Sequence, residues 1–182
     1  MVHWQQHNLQ ERLAILNAVN REKHLSPTAI EKDWWVIMVL KALSMTSIAH
    51  LLNFKGGTSL SKGFGLIDRF SEDIDLSIRR EDDFSISSTS KSQRERLRKK
   101  SRLFIQEVLK PEIEQALSQL GVVEYKVRNI TQVETKDGPK PIDSDKDPTV
   151  IMIDYRSIVP NSSNYVSPWV KIEISCLSMA EP

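Results

Sequence analysis

A chain of 182 residues, 40% hydrophobic and 27% charged, has room for one domain with a real core but would be crowded by two. Its net charge of +1 excludes a global field that would draw in nucleic acid, so any such role must rest on a local patch. The single cysteine, Cys176, excludes an intrachain disulfide and a thiolate zinc cluster, and the longest apolar run, the seven residues Trp34 to Leu40, is too short to span a membrane.

The N-terminus, MVHWQQHNLQERL, lacks the basic start and apolar centre of a secretion signal. A cytoplasmic protein with no membrane partner is expected. His3 and His7 share a helical spacing but sit at an end expected to fray, so they read as solvated surface.

Residues from about Gln5 to Asn20 read as an amphipathic helix carrying Leu9, Leu13, Leu16 and Val19 at three- and four-residue spacing. Ser26 and Pro27 supply a cap and a first-turn proline for a second helix, PTAIEKDWWVIMVLKALSM. Apolar on nearly every side around Trp34 to Leu40, that helix belongs inside. HLLNFKGG reads as a short strand entering a glycine turn, SLSKGFGLI as a short helix leaving it, and EDIDLSIRR as a half-buried strand. Glu81 to Ser90 reads as a loop. A long helical pattern from Lys91 to Leu120 is closed by Gly121 and should be kinked or split at Pro111. VVEYKVRNI, TVIMIDYRSI and WVKIEISCL are strand-like, and the turn-rich, charged KDGPKPIDSDKDP between the first two reads as an exposed loop. The order predicts an α+β chain with a mixed sheet of four or five strands.

The chemistry concentrates in FKGGTSLSKGFGLIDRFSEDIDLSI, Phe54 to Ile78. Gly56 and Gly57 after a strand allow backbone to approach a ligand, and the first amides of a following helix point outward as phosphate donors. Thr58, Ser59 and Ser61 add hydroxyls, and Lys62 a cation. The order differs from a P-loop, where glycine directly precedes the lysine. A plain structural turn accounts for the same glycines.

Asp73 and Asp75 lie two apart in a strand and so share a face, while Ile74, Leu76 and Ile78 point into the core. Two such carboxylates repel unless a cation lies between them, and oxygen ligands suit magnesium or manganese. A solvent-facing polar edge is the competing reading. A third carboxylate tips the balance: in WVKIEISCL, Val170, Ile172 and Ile174 form an apolar face, and Lys171, Glu173 and Ser175 form the other. If the two strands are neighbours, Asp73, Asp75 and Glu173 converge. Asp154 in IMIDYRS is a rival candidate. Three carboxylates holding divalent ions beside a phosphate cradle are equipment for nucleotidyl transfer, with Lys62 and Arg69 neutralising the triphosphate.

The run KGGTSLSKGFGLIDRFSEDIDLSI closely resembles the signature of the AbiEii/AbiGii toxin family, nucleotidyltransferases of the DNA polymerase β superfamily. Gly56, Gly57 and Thr58 match the glycine turn, Asp73 and Asp75 the Asp-x-Asp strand, and Glu173 the later carboxylate. IEKDWWVIMVLKAL and RFSEDIDL, where Arg69 and Ser71 precede the acidic pair, are also similar to the family. The resemblance spans about Ile30 to Leu177. It implies a nucleotidyltransferase-like mixed sheet flanked by helices, with residues 1–50 as N-terminal helices packed on a core at 51–182. It further implies Mg²⁺ or Mn²⁺ on Asp73, Asp75 and Glu173. A nucleoside triphosphate would be held by Gly56, Gly57, Thr58, Ser59, Lys62, Arg69 and Ser71. The acceptor in related toxins is transfer RNA, and the cognate antitoxin is a separate transcriptional regulator. Family members continue into a helical C-terminal half that adds a lysine and an acidic residue, whereas this sequence ends at SMAEP. The expectation is the N-terminal portion of a longer protein, or a shortened member.

A catalytically inactive nucleotide-binding or regulatory module of the same fold is the alternative. A restriction-like nuclease ranks last, because that chemistry wants lysine two residues after the second acid, and here Lys171 precedes Glu173. KSQRERLRKKSR, residues 91–102, holds seven basic residues and one glutamate and reads either as a phosphate-contacting helix or as a solvated one.

Overall fold

A computed structural model describes residues 4–59, 73–79, 90–159 and 166–177. After a 3₁₀ turn at Trp4–Gln6, helix α1 runs from Leu9–Lys23, later than the leucine spacing suggests. Its start is set by a capping box: Asn8 Oδ1 accepts from the Glu11 amide at 3.0 Å and the Glu11 carboxylate accepts from the Asn8 amide at 3.1 Å. Of the expected stripe only Leu16 is buried, and Leu9 faces solvent. His7 Nδ1 lies 3.3 Å from Glu11 Oε2, and the histidine side chain is 36% exposed.

Helix α2, Pro27–Met45, begins as expected, with Ser26 Oγ accepting from the Ala29 amide and Pro27 in the first turn. Trp35, Val36, Met38, Val39, Ala42 and Leu43 are buried along it. It packs on the sheet, with α1 on its outer side. Strand β1 (Leu52–Lys55) leads into a one-turn helix α3 (Gly56–Thr58), and strand β2 follows at Asp73–Ile78. The expected helix over SLSKGFGLI lies, apart from Ser59, outside the described residues.

The long helical stretch is split, as Pro111 demands, but the break precedes the proline. Helix α4 (Lys91–Phe104) passes through a π-helical turn at Ile105–Leu109 into helix α5 (Lys110–Gln119). Proline has no N–H and its ring crowds the carbonyl four residues back, so the ladder widens just upstream. Gly121, at φ 72, ends α5 while the Val122 amide donates to the Leu117 carbonyl at 3.0 Å.

Strands β3 (Tyr125–Asn129), β6 (Thr149–Tyr155) and β7 (Trp169–Ser175) follow where the sequence places them. The segment read as a loop is partly ordered as a ribbon. β4 (Gln132–Thr135) pairs with β5 (Gly138–Pro141) around a Lys136-Asp137 turn, and Gly138, which opens β5, has φ 101. Pro139 and Pro141 cannot donate, which a two-stranded ribbon with open edges tolerates.

The main sheet has five strands in the order β1-β2-β7-β6-β3. β2 and β7 are parallel and the other neighbours antiparallel, giving a mixed sheet and the expected α+β fold. Ile74, Leu76, Val170, Ile172, Ile174, Ile151, Ile153 and Val127 lie in one core cluster with α2 and with Leu97, Ile105, Leu109, Ile113 and Leu117 of the long helical arm. With residues alternating across a strand, that leaves Asp73, Asp75, Lys171 and Glu173 together on the opposite face.

A buried carboxylate fastens α2 to the end of β6. Glu31, 1% exposed, accepts from Ser157 Oγ at 2.5 Å and from the Ile158 amide at 2.9 Å. Trp35 stacks on Tyr155 beside it, with ring centroids 4.7 Å apart and planes at 14°. No helix among the described residues is long and apolar enough to cross a membrane.

Candidate functional site

The parallel pairing of β2 with β7 builds the site. Its register sets Asp73 opposite Lys171 and Asp75 opposite Glu173. The two acidic segments, far apart in sequence, are therefore immediate neighbours, which meets the condition on which their convergence depended. On the other flank β1 pairs antiparallel with β2, setting Lys55 opposite Asp75.

Where β1 ends, the chain turns sharply over the acidic strand. Gly56 has φ 75, a left-handed conformation that glycine adopts without strain. A Cβ at this position would overlap the Asp75 carboxylate. The bare α-carbon thus lets the turn close on Asp75. Gly57 and Thr58 complete the helical turn. Ser59 is buried, and its hydroxyl donates to the Phe54 carbonyl at 3.3 Å, tying the turn back to β1. Ser61, Lys62, Arg69 and Ser71 lie outside the described residues.

The electrostatics follow from this crowding. Burial pushes the Asp75 carboxyl above its ordinary range, the charges of Glu173 and Asp73 push it further, and Lys171 and Lys55 pull part of that back. Burial works against the Lys171 ammonium, but hydrogen bonds to Asp73 and Glu173 more than compensate and hold its pKa above the usual lysine value. Its Nζ stands 2.9 Å from Asp73 Oδ2 and 3.1 Å from Glu173 Oε1. Sequence reasoning placed Lys171 on this face without giving it a role. The register opposite Asp73, which no strand pattern reveals, creates that role.

The rival carboxylate is accounted for. Asp154 lies on β6 opposite Trp169, one strand beyond Glu173, and forms a two-pronged pair with Arg128 of β3, whose Nη2 lies 3.0 Å from Asp154 Oδ1. The basic stretch forms α4. Arg98 approaches Asp145 at 3.8 Å and Arg102 donates to the Asp143 carbonyl at 2.8 Å, while Lys91, Arg94, Arg96, Lys99 and Lys100 are exposed.

Three oxygen-donor carboxylates on adjacent strands have the chemistry that a hard divalent cation requires. As the side chains stand, no three Asp, Glu, His or Cys residues among those described enclose a common ion position. The cation between Asp73 and Glu173 is instead the Lys171 ammonium.

The family model for the AbiEii nucleotidyl transferase toxin of type IV toxin–antitoxin systems matches residues 39–182. The chain belongs to the AbiEii family. No curated protein and no solved structure gives a significant match. The AbiEii match covers both acidic strands and the glycine turn, and the AbiEii family is one of nucleotidyltransferase toxins with an antitoxin partner.

Proposed function

We propose that this chain carries the site of a metal-dependent nucleotidyltransferase that moves a nucleoside monophosphate from a nucleoside triphosphate to an acceptor. The observation that carries the reading is the register of Asp75 against Glu173, with Asp73 beside them and the Gly56 turn closed over Asp75. In the transfer the acceptor oxygen attacks the α-phosphorus in line, a new P–O bond forms as the bond to the β-phosphate oxygen breaks, and pyrophosphate leaves.

Asp73, Asp75 and Glu173 would hold Mg²⁺ or Mn²⁺, which when bound supplies charge neutralisation for the triphosphate and acidifies the acceptor hydroxyl. Asp75 lies against the charges of Glu173 and Asp73, an accumulation of negative charge that a divalent ion would relieve. The amides of the Gly56–Thr58 turn stand at the acidic strand, where backbone donors can orient phosphate oxygens. Lys62, Arg69 and Ser71 complete the nucleotide contacts in this reading. RNA, with transfer RNA the leading candidate, is the acceptor, and the antitoxin is a separate regulator.

The test is transfer of label from α-labelled triphosphates to cellular RNA with Mg²⁺ present and absent. Label that appears only with Mg²⁺ and is lost in Asp75→Asn supports the reading. Absence of transfer with all four nucleotides, together with tight triphosphate binding by calorimetry, favours the nucleotide-binding module of the same fold.

A further inference from the structure

The most sharply defined feature of the acidic face is a lysine. Lys171 projects from β7 between Asp73, its cross-strand neighbour, and Glu173, two residues along the same strand face. Its ammonium reaches both carboxylates within hydrogen-bonding distance, and the side chain is only 31% exposed. An ammonium has three donors and no acceptor, so two of its three are spent on the oxygens that a divalent ion would need. Charge-assisted bonds of this kind are among the stronger polar contacts.

We propose that Lys171 is a tethered counter-cation that competes with the divalent ion for Asp73 and Glu173 and is handed over to the triphosphate when the ion binds. The proposal rests on the preceding assignment of those carboxylates as metal ligands. Binding of the ion displaces the ammonium from both partners, so metal affinity is reduced by what those contacts are worth. The released ammonium, on a flexible four-carbon stem, remains on the same face and gains a polyphosphate partner. Triphosphate therefore removes the competitor and tightens metal binding, and by linkage metal tightens triphosphate binding to the same extent. The site resists loading with metal alone and fills with both components together. Lys171 is in this sense a positioning residue for the ligand carboxylates as well as a contact for the substrate.

The test uses the full chain and Mn²⁺ as the probe, with binding followed by the paramagnetic resonance of free Mn²⁺ in the presence and absence of a nonhydrolysable triphosphate. Lys171→Met keeps the stem and deletes the charge; Lys171→Gln is the second variant, and circular dichroism and urea midpoints confirm that each is folded. Without triphosphate both should bind Mn²⁺ more tightly than wild type, by about tenfold for two charged hydrogen bonds discounted for partial exposure. The tightening of Mn²⁺ by triphosphate should shrink in both variants. In chelator each should melt below wild type, because the three carboxylates then repel with only Lys55 of the two nearby lysines left to offset them, and Mn²⁺ should raise the melting point more than it does for wild type. Equal Mn²⁺ affinity and equal coupling in wild type and variants would overturn the counter-cation role while leaving the metal site intact. If wild type binds no Mn²⁺ with or without triphosphate, and Asp75→Asn behaves identically, the metal-site assignment itself fails and the proposal with it.

Discussion

Gly56 and Asp75 are packed so closely that a single β-carbon on the glycine would overlap the carboxylate. The turn that ends β1 and the strand that carries the acidic pair are thus one unit, and the glycine keeps them together. Gly56→Ala faces two penalties, a left-handed φ of 75 and the overlap. A loss of at least about 1 kcal/mol of stability is expected from the backbone alone, read as a lowered urea midpoint. Because Asp75 must move to make room, nucleotide transfer should fall further than the stability loss accounts for. A variant with full activity at a temperature where it remains folded would show that the close approach has no functional use.

Asp75→Asn removes the carboxylate that burial and its neighbours already push toward protonation. Stability should stay within about 0.5 kcal/mol of wild type or rise, since an uncomfortable charge is replaced by a neutral group of the same shape. Activity should drop by about a hundredfold or more, because a charged metal ligand is lost. Parallel urea titrations and label-transfer assays separate the two effects. A large loss of stability with proportionate loss of activity would mark Asp75 as structural.

The contrast with Asp154 gives a control within the same sheet. Asp154→Asn breaks its pair with Arg128, whose two side chains are 34% and 42% exposed, so the cost should be no more than about 1 kcal/mol. Transfer should remain within about twofold of wild type, while Glu173→Gln should abolish it. Should Asp154→Asn prove as damaging as Glu173→Gln when both are folded, the choice of third carboxylate would have to be reversed.

How much of this was legible in the sequence depends on the range of the interaction involved. The apolar faces of β2, β6 and β7 follow from alternation, a local property, and the pairing of β2 with β7 was a condition that the acidic residues imposed. Ser26 and Pro27 start α2 by local chemistry alone. Gly56 was legible as a glycine turn, but its close approach to the Asp75 side chain on the next strand was not. The role of Lys171 depends on the β2–β7 register, and a shift of one residue would turn it away from Asp73. The partners of Glu31 come from the far end of β6, so a charged residue near the start of an apolar helix gave no sign of burial. Leu9 illustrates the opposite error: its helical spacing fits a buried stripe, but α1 packs chiefly on α2 among the described residues, and Leu9 is left 52% exposed.

Glu31 makes the last prediction, on pH. Burial raises its pKa above the ordinary 4.5, and the bonds from Ser157 and Ile158 and the charge of Arg12 offset only part of that. With the folded-state pKa the higher of the two, the native protein holds the Glu31 proton more tightly than the unfolded chain between those values. The stabilising contribution is complete below the ordinary value and is lost as pH rises through the folded one. Stability relative to Glu31→Gln should therefore increase as pH falls from neutral toward 4.5, which urea midpoints of both proteins at matched pH would measure. Subtracting the variant removes the opposing slopes of the other carboxylates. A difference that runs the other way would mean that the hydrogen bonds from Ser157 and Ile158 favour the carboxylate by more than burial disfavours it. Glu31 would then be held in place as a charge, and the joint between α2 and the end of β6 would loosen in acid instead of tightening.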